Sequence, residues 1–184
     1  MSFLRKQSVH RLKLVDYHNP ILRHPAETVS FPLSPSDKQL IKDMQHSIQE
    51  KQLKKAHAPW KSAAGMAAPQ WGINKRIFLY ATDKKDEFEV IINPSYEPVD
   101  DISTGLVMQE RHWESCFSIP CKAGHVIRYL HIRVAYQNEK GETIIKQLFG
   151  WPARIWQHEN DHLNGFLYDD PRTGKCSEVR DYFG

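Results

Sequence analysis

The chain has no apolar run approaching the ~20 residues that a membrane-spanning helix needs, and no signal-peptide core follows its first basic residues. Cysteine is scarce: Cys116, Cys121 and Cys176 are an odd set of three, which excludes a disulfide framework and leaves thiols free for other chemistry. Internal repeats and low-complexity tracts are also missing. The formal net charge is only +3, with basic residues scattered and no stripe of basic and aromatic side chains. A nucleic-acid surface is therefore not expected, nor is a membrane partner.

What remains is an ordinary globular mixture, 40% hydrophobic and 26% charged over 184 residues, enough for one sizeable core. We expect a single domain over residues 1–184, with residues 1–13 as a flexible lead. The composition suits a soluble intracellular protein. The run of Arg5, Lys6, Arg11 and Lys13 without an acidic residue keeps a short organellar presequence as the alternative.

Punctuation by proline, glycine and asparagine divides the chain. Ser34-Pro35-Ser36-Asp37 predicts a helix start, with Ser34 as N-cap, Pro35 in the first turn and Asp37 near the free amides. Ile41, Met44 and Ile48 then recur at helical spacing, and the helix is expected to fray into Lys51–Lys55. His57-Ala58-Pro59-Trp60 should be irregular. Strands are expected at Ile77–Tyr80, at Val90–Ile92 ending on Asn93-Pro94, and at Leu106–Met108. A longer antiparallel pair, Val126–Tyr136 with Thr143–Phe149, should close through Asn138–Gly141. A last helix should run from about Pro152 through His162 and stop before Gly165. This order implies an α+β fold, with mixed or antiparallel strands packed around a central metal-binding helix.

The metal expectation comes from Gln157-His158-Glu159-Asn160-Asp161-His162-Leu163. An HExxH pair in a helix stacks two imidazoles one turn apart and sets a carboxylate beside the first. Two imidazoles do not hold a catalytic ion, so a third ligand must come from elsewhere. Cys116, in Glu114-Ser115-Cys116-Phe117-Ser118, would suit Zn²⁺ or Fe²⁺ beside neutral imidazoles. Cys121, five residues on, and several carboxylates compete with it.

Three segments together, Gly65-Met66-Ala67-Ala68-Pro69-Gln70, Glu114-Ser115-Cys116-Phe117-Ser118 and the HExxH helix, resemble in order and character the signature motifs of the peptide deformylases. Val15-Asp16-Tyr17-His18-Asn19-Pro20-Ile21-Leu22-Arg23 resembles that family's opening segment. The resemblance implies Cys116, His158 and His162 as metal ligands, Glu159 as general acid and base, and Gln70 with the Phe117 backbone N–H as donors to the developing oxyanion. It implies one divalent ion, Fe²⁺ in the cell, with Zn²⁺, Ni²⁺ or Co²⁺ tolerated in purified protein. The substrate would be the formyl-methionyl end of a nascent polypeptide, met transiently near the ribosome by a monomeric enzyme and bound as an extended strand beside Ala64, Gly65 and Ser115. Glu114 would orient its loop, with Arg128 as a candidate partner, and Asp161 would accept from a ligand imidazole or cap buried polar groups. Ile127 and Ile155 are candidates for a methionine pocket. The chain departs from the family pattern at Ala63 and Ser115, where glycine is usual, and in additional residues at Gln52–Lys61 and Glu110–Trp113, expected to lengthen loops.

Three other readings compete with an active deformylase. A divergent paralogue of low activity would keep the same ligands. A metallopeptidase would take Glu178 as third ligand, and a structural-metal protein would close all four positions with Cys or His.

Overall fold

Ser34 begins the first helix through reciprocal capping. In the computed structural model, which describes residues 8–55 and 62–182, Asp37 N donates to Ser34 Oγ at 3.1 Å and Ser34 N to the Asp37 carboxylate at 3.3 Å. That capping box opens α1, Pro35–Ser47. The chain does not fray afterwards: it turns at Ile48 and Gln49 and resumes as α2, Glu50–Lys55, because Leu53 is buried in the same core as Ile41, Met44 and Ile48. His57–Trp60 lies outside the described residues. The lead expected to be flexible is described only from Ser8, where His10 N donates to Asp43 and Leu12 N to Ser47 Oγ.

Among the described residues, eight strands follow in two antiparallel sheets. They are β1 Gly65–Ala67, β2 Ile77–Ala81, β3 Phe88–Pro98, β4 Gln109–Cys116, β5 Ile119–Tyr129, β6 His131–Gln137, β7 Thr143–Phe149 and β8 Cys176–Asp181. One sheet runs β1-β2-β3-β6-β7, the other β4-β5-β8. Asn93-Pro94 does not end β3, as expected, but kinks it. Asn93 takes φ 50° and its side chain bonds both backbone groups of Val29, so pairing with β6 resumes at Ser95 after a bulge.

The expected strand Val126–Tyr136 is divided at Leu130. Residues up to Tyr129 belong to the smaller sheet and those from His131 to the larger one, so one continuous apolar pattern serves two sheets. Leu106–Met108 forms only a bridge from Val107 to Asp100, and the regular strand β4 begins at Gln109. Glu110–Trp113 is therefore strand and not a lengthened loop. The β6–β7 turn forms as expected, with Asn138 Oδ1 accepting from Lys140 N and Glu142 N and Gly141 at φ 83°. After Arg172 the chain continues into β8, whose backbone pairs with β5.

The last helix, α3, spans Trp151–Leu163 and lies between the sheets. Pro152 occupies its first turn, where no amide hydrogen bond is lost. Ala153, Trp156 and Leu163 face the larger sheet and pack with Phe78, Ile91, Ile132 and Val134. The opposite side carries His158 and His162 toward β4 and β5. Trp156 is fully buried and meets Phe78 and Tyr136 edge-on, with ring centroids 4.9 and 5.3 Å apart. The helix carrying the candidate ligands is thus fixed by its aromatic side against a sheet. No helix among the described residues is long and apolar enough to cross a membrane.

Trp156→Ala should therefore cost about 3–5 kcal/mol of stability, the range for deleting a buried aromatic. Denaturant unfolding followed by circular dichroism measures it, and a loss below ~1 kcal/mol would show that α3 is not held through this ring.

Candidate metal centre

Cys116 is the last residue of β4, and the chain turns so tightly after it that Cys116 pairs with Ile119 of β5. The turn brings Ser118 N to 3.4 Å from Cys116 Sγ. Across from it, α3 presents its two imidazoles on successive turns, and His162 Nε2 lies 3.2 Å from the sulfur. One ligand atom from each of Cys116, His158 and His162 falls within 4.8 Å of the others. The span and donor set fit one divalent ion, for which thiolate and imidazole bonds of ~2.0–2.3 Å are usual. Cys121 and Cys176 are exposed and half-buried and lie outside this group. Glu178 projects from the exposed strand β8, also outside it.

His158 is oriented by Glu114, whose Oε2 lies 2.9 Å from His158 Nδ1, so that Nε2 is left for the ion. Arg128 holds the same carboxylate in a two-pronged contact, Nε to Oε1 at 2.9 Å and Nη2 to Oε2 at 2.8 Å. Arg154 adds a third bond to Oε1 at 2.7 Å. Burial pushes the Glu114 carboxyl up, but Arg128 and His158 outweigh it and hold the group well below the ordinary carboxylate range. Burial likewise disfavours a charged His158, yet the hydrogen bonds it donates to Cys116 and Glu114 raise it well above ordinary histidine. His162, buried beside the charges of His158 and Arg128, is held well below. The two imidazoles are thus shifted in opposite directions, His158 toward its protonated form beside Glu114 and His162 toward neutrality.

Asp161 does not accept from a ligand imidazole. It faces Arg128 Nη1 and takes Lys175 Nζ at 2.7 and 2.9 Å, so its part is to balance the Arg128 charge. Arg154 was not singled out from the sequence, although it stands four residues before His158, on the same face of α3. Its signal was that helical spacing, hidden because nothing in the sequence shows the carboxylate it meets.

Glu159 is buried against β1. A Cβ added to Gly65 would come within 2.8 Å of Glu159 Cγ and Oε1, so only glycine leaves space for this carboxyl. Burial raises Glu159 to about 7, with the charges of His158 and Arg128 pulling against it. Its Oε2 has no protein partner. Gln70 sits in the short 3-10 helix Ala68–Trp71. Ala67 N donates to its Oε1 at 2.8 Å, which fixes the carboxamide with Nε2 toward Cys116 Sγ, 3.6 Å, and Ser118 Oγ, 3.3 Å.

These groups line a groove of about 690 Å³. β1 and β4 are edge strands of their sheets, and Ala64, Gly65, Ser115 and Phe117 all face this space. Ile155 lines it beside His158, whereas Ile127 does not. β8 contributes Arg180, and Tyr182 follows it along the same wall.

The polypeptide deformylase family model matches residues 11–177. A peptide deformylase of Limosilactobacillus reuteri is 37% identical over 161 residues, 83% of this chain and 84% of its own. A crystal structure of the class I type b peptide deformylase of Acinetobacter baumannii with Met-Ala-Ser bound superposes with TM-score 0.71 at 27% identity, covering 88% of this chain and 98% of that one. Peptide deformylase 1B of Arabidopsis thaliana, crystallised with an inhibitor, gives TM-score 0.69 at 25% identity over 85% of this chain and 79% of its own.

Removing a ligand should empty the site. Cys116→Ala and His162→Ala protein should each lose stoichiometric metal by inductively coupled plasma mass spectrometry, whereas Cys121→Ala and Cys176→Ala should keep one ion per chain. Metal retained by Cys116→Ala and lost from Glu178→Ala would identify the wrong third ligand.

Proposed function

The chain belongs to the polypeptide deformylase family, and we propose that it hydrolyses the formyl group from the N-terminal formyl-methionine of nascent polypeptides, releasing formate. The observation that carries this is a Cys, His, His cluster of which Cys116 and His158 line one groove together with the buried carboxyl of Glu159. The Acinetobacter relative binds Met-Ala-Ser, a peptide that such a reaction would leave after formate departs.

A divalent ion held by Cys116, His158 and His162 would lower the pKa of a bound water and polarise the formyl oxygen. Glu159 would take a proton from the water that attacks the formyl carbon, a role to which a carboxyl desolvated toward neutrality is matched. Gln70 Nε2 and the Phe117 N–H donate to the oxygen on which charge develops. Because the Gln70 carboxamide is already fixed through Ala67, it need not reorganise as charge appears. Glu159 then returns the proton to the leaving amine. The substrate enters extended, its backbone pairing with the free edges at Ala64, Gly65 and Ser115, which gives affinity with little sequence selection. Its methionine side chain lies against His158 and Ile155.

Thiolate and imidazole donors suit Fe²⁺ and also Zn²⁺, Ni²⁺ or Co²⁺, and we take Fe²⁺ as the cellular ion. We take the protein to act as a monomer. Its substrates would be met as they leave the ribosome. Relatives occur in bacteria and in a plant, and we place this protein in the bacterial cytoplasm, with an organellar location as the alternative.

Metal-loaded protein should release formate from formyl-Met-Ala-Ser, Glu159→Ala should abolish release while keeping its ion, and Gln70→Ala should slow turnover by roughly a hundredfold, about 3 kcal/mol of lost oxyanion stabilisation. Full activity in Glu159→Ala would overturn this mechanism, and no formate from the metal-loaded parent would overturn the function.

A further inference from the structure

Arg180 stands in the same cross-sheet row as Ser115. Ser115 of β4 is opposite Ala123 of β5, and Ala123 is opposite Arg180 of β8, so the three side chains share one face. Trp113, two residues before Ser115, lies on that face too. Arg180 leans over it, its guanidinium carbon 3.8 Å from the indole centroid. His125, the cross-strand partner of Trp113, stacks on the same ring at 4.9 Å and 21°.

Stacking through the face of the guanidinium leaves its N–H donors at the edge, where they can grip a carboxylate. The indole holds the plane still, so little side-chain freedom remains to be lost on binding. Among the described residues, Trp113 is the side-chain partner of Arg180. The groove's other charged residues, Glu114, Arg154, His158 and Glu159, are buried or tied into the metal-centre network. Among the described residues, Arg180 is thus the charge in the groove that is available to substrate.

Resting on the deformylase reading above, we infer that Arg180 is a specificity-determining residue that selects substrates with an acidic side chain immediately after the formyl-methionine. Successive side chains of an extended peptide point to opposite faces. With the methionine against His158 and Ile155 on the α3 side, the second side chain faces Ser115, Trp113 and Arg180. An aspartate or glutamate there meets the stacked guanidinium, and a lysine meets like charge.

The test compares formate release from formyl-Met-Glu-Ser, formyl-Met-Gln-Ser and formyl-Met-Lys-Ser, using the metal-loaded full chain. Glu and Gln are nearly the same size, so their kcat/KM ratio isolates charge, and measuring it within one preparation cancels differences in folding or metal content. The parent should favour Glu over Gln by about five- to tenfold, the range for a charge-assisted contact that is partly open to water. Arg180→Met should bring the ratio to within about twofold of unity, and Arg180→Glu should make the lysine peptide the best of the three. A parent ratio near one, or a ratio that survives Arg180→Met, overturns the inference while leaving the deformylase reading standing. No formate from any of the peptides overturns both.

Discussion

The buried carboxylate of Glu114 is the point on which this structure turns. It is shared by Arg128 from β5, Arg154 from α3 and the imidazole of His158, so a single side chain ties both sheet and helix to the candidate metal site. The side chains of Glu114, Arg128 and Arg154 are 1–5% exposed. Placing charges so far from water is costly unless each is paired and hydrogen-bonded. Here the pairing is complete: Arg128 reaches both Glu114 and Asp161, and Lys175 covers Asp161 from the tail. Losing one member would leave another buried and unmatched, a loss of about 3–5 kcal/mol in such settings. The network therefore fixes the relative position of β4, which carries Cys116, and α3, which carries His158 and His162. A site made from two elements needs some such brace if its ligand atoms are to stay within bonding reach of one ion.

Two further constraints keep the reacting groups apart from this brace. Glu159, next to His158 in sequence, points toward β1 and into the gap that Gly65 leaves, outside the grasp of either arginine. Gln70 is held by the Ala67 amide instead of by any charge. The structural carboxylate is thus saturated with partners, while the candidate catalytic carboxyl has an oxygen to spare. Environment, not residue type, separates the roles of Glu114 and Glu159.

Elements specified by local chemistry were legible in the sequence. Ser34 and Asp37 announce α1, Asn138 and Gly141 announce the β6–β7 turn, and the spacing of His158 and His162 gives the face of α3. The central helix and the α+β class followed from these. Elements specified by tertiary partners were not legible. Nothing in Val126–Tyr136 marks Leu130 as the residue at which the chain changes sheets. Pro94 reads as a strand end because the bonds from Asn93 to Val29, which turn an interruption into a bulge, connect residues 64 apart in sequence. β8 is mostly exposed and acquires its form from pairing with β5, so its own residues carry little burial pattern. At the site, the ligand set was reached only through resemblance to a family. Spacing alone left Cys121 in competition with Cys116, and the distinction lies in burial and in the turn that aims one sulfur at α3.

The two departures at glycine positions of the resembling motifs can be judged against Gly65, where the structure leaves no room. A Cβ at position 65 would collide with Glu159, which makes glycine a physical requirement there. At position 115 the extra atoms meet no such wall. Ser115 is exposed, and strand alternation turns its side chain away from the face that carries Glu114 and Cys116. Ala63 is partly buried and packs against the core beneath α1. The added hydroxymethyl group at Ser115 is therefore compatible with the metal site and acts on the groove wall, beside Ala123 and Arg180. The sequence change and the stacked arginine fall on one row of one sheet face, opposite the face that carries Glu114 and Cys116.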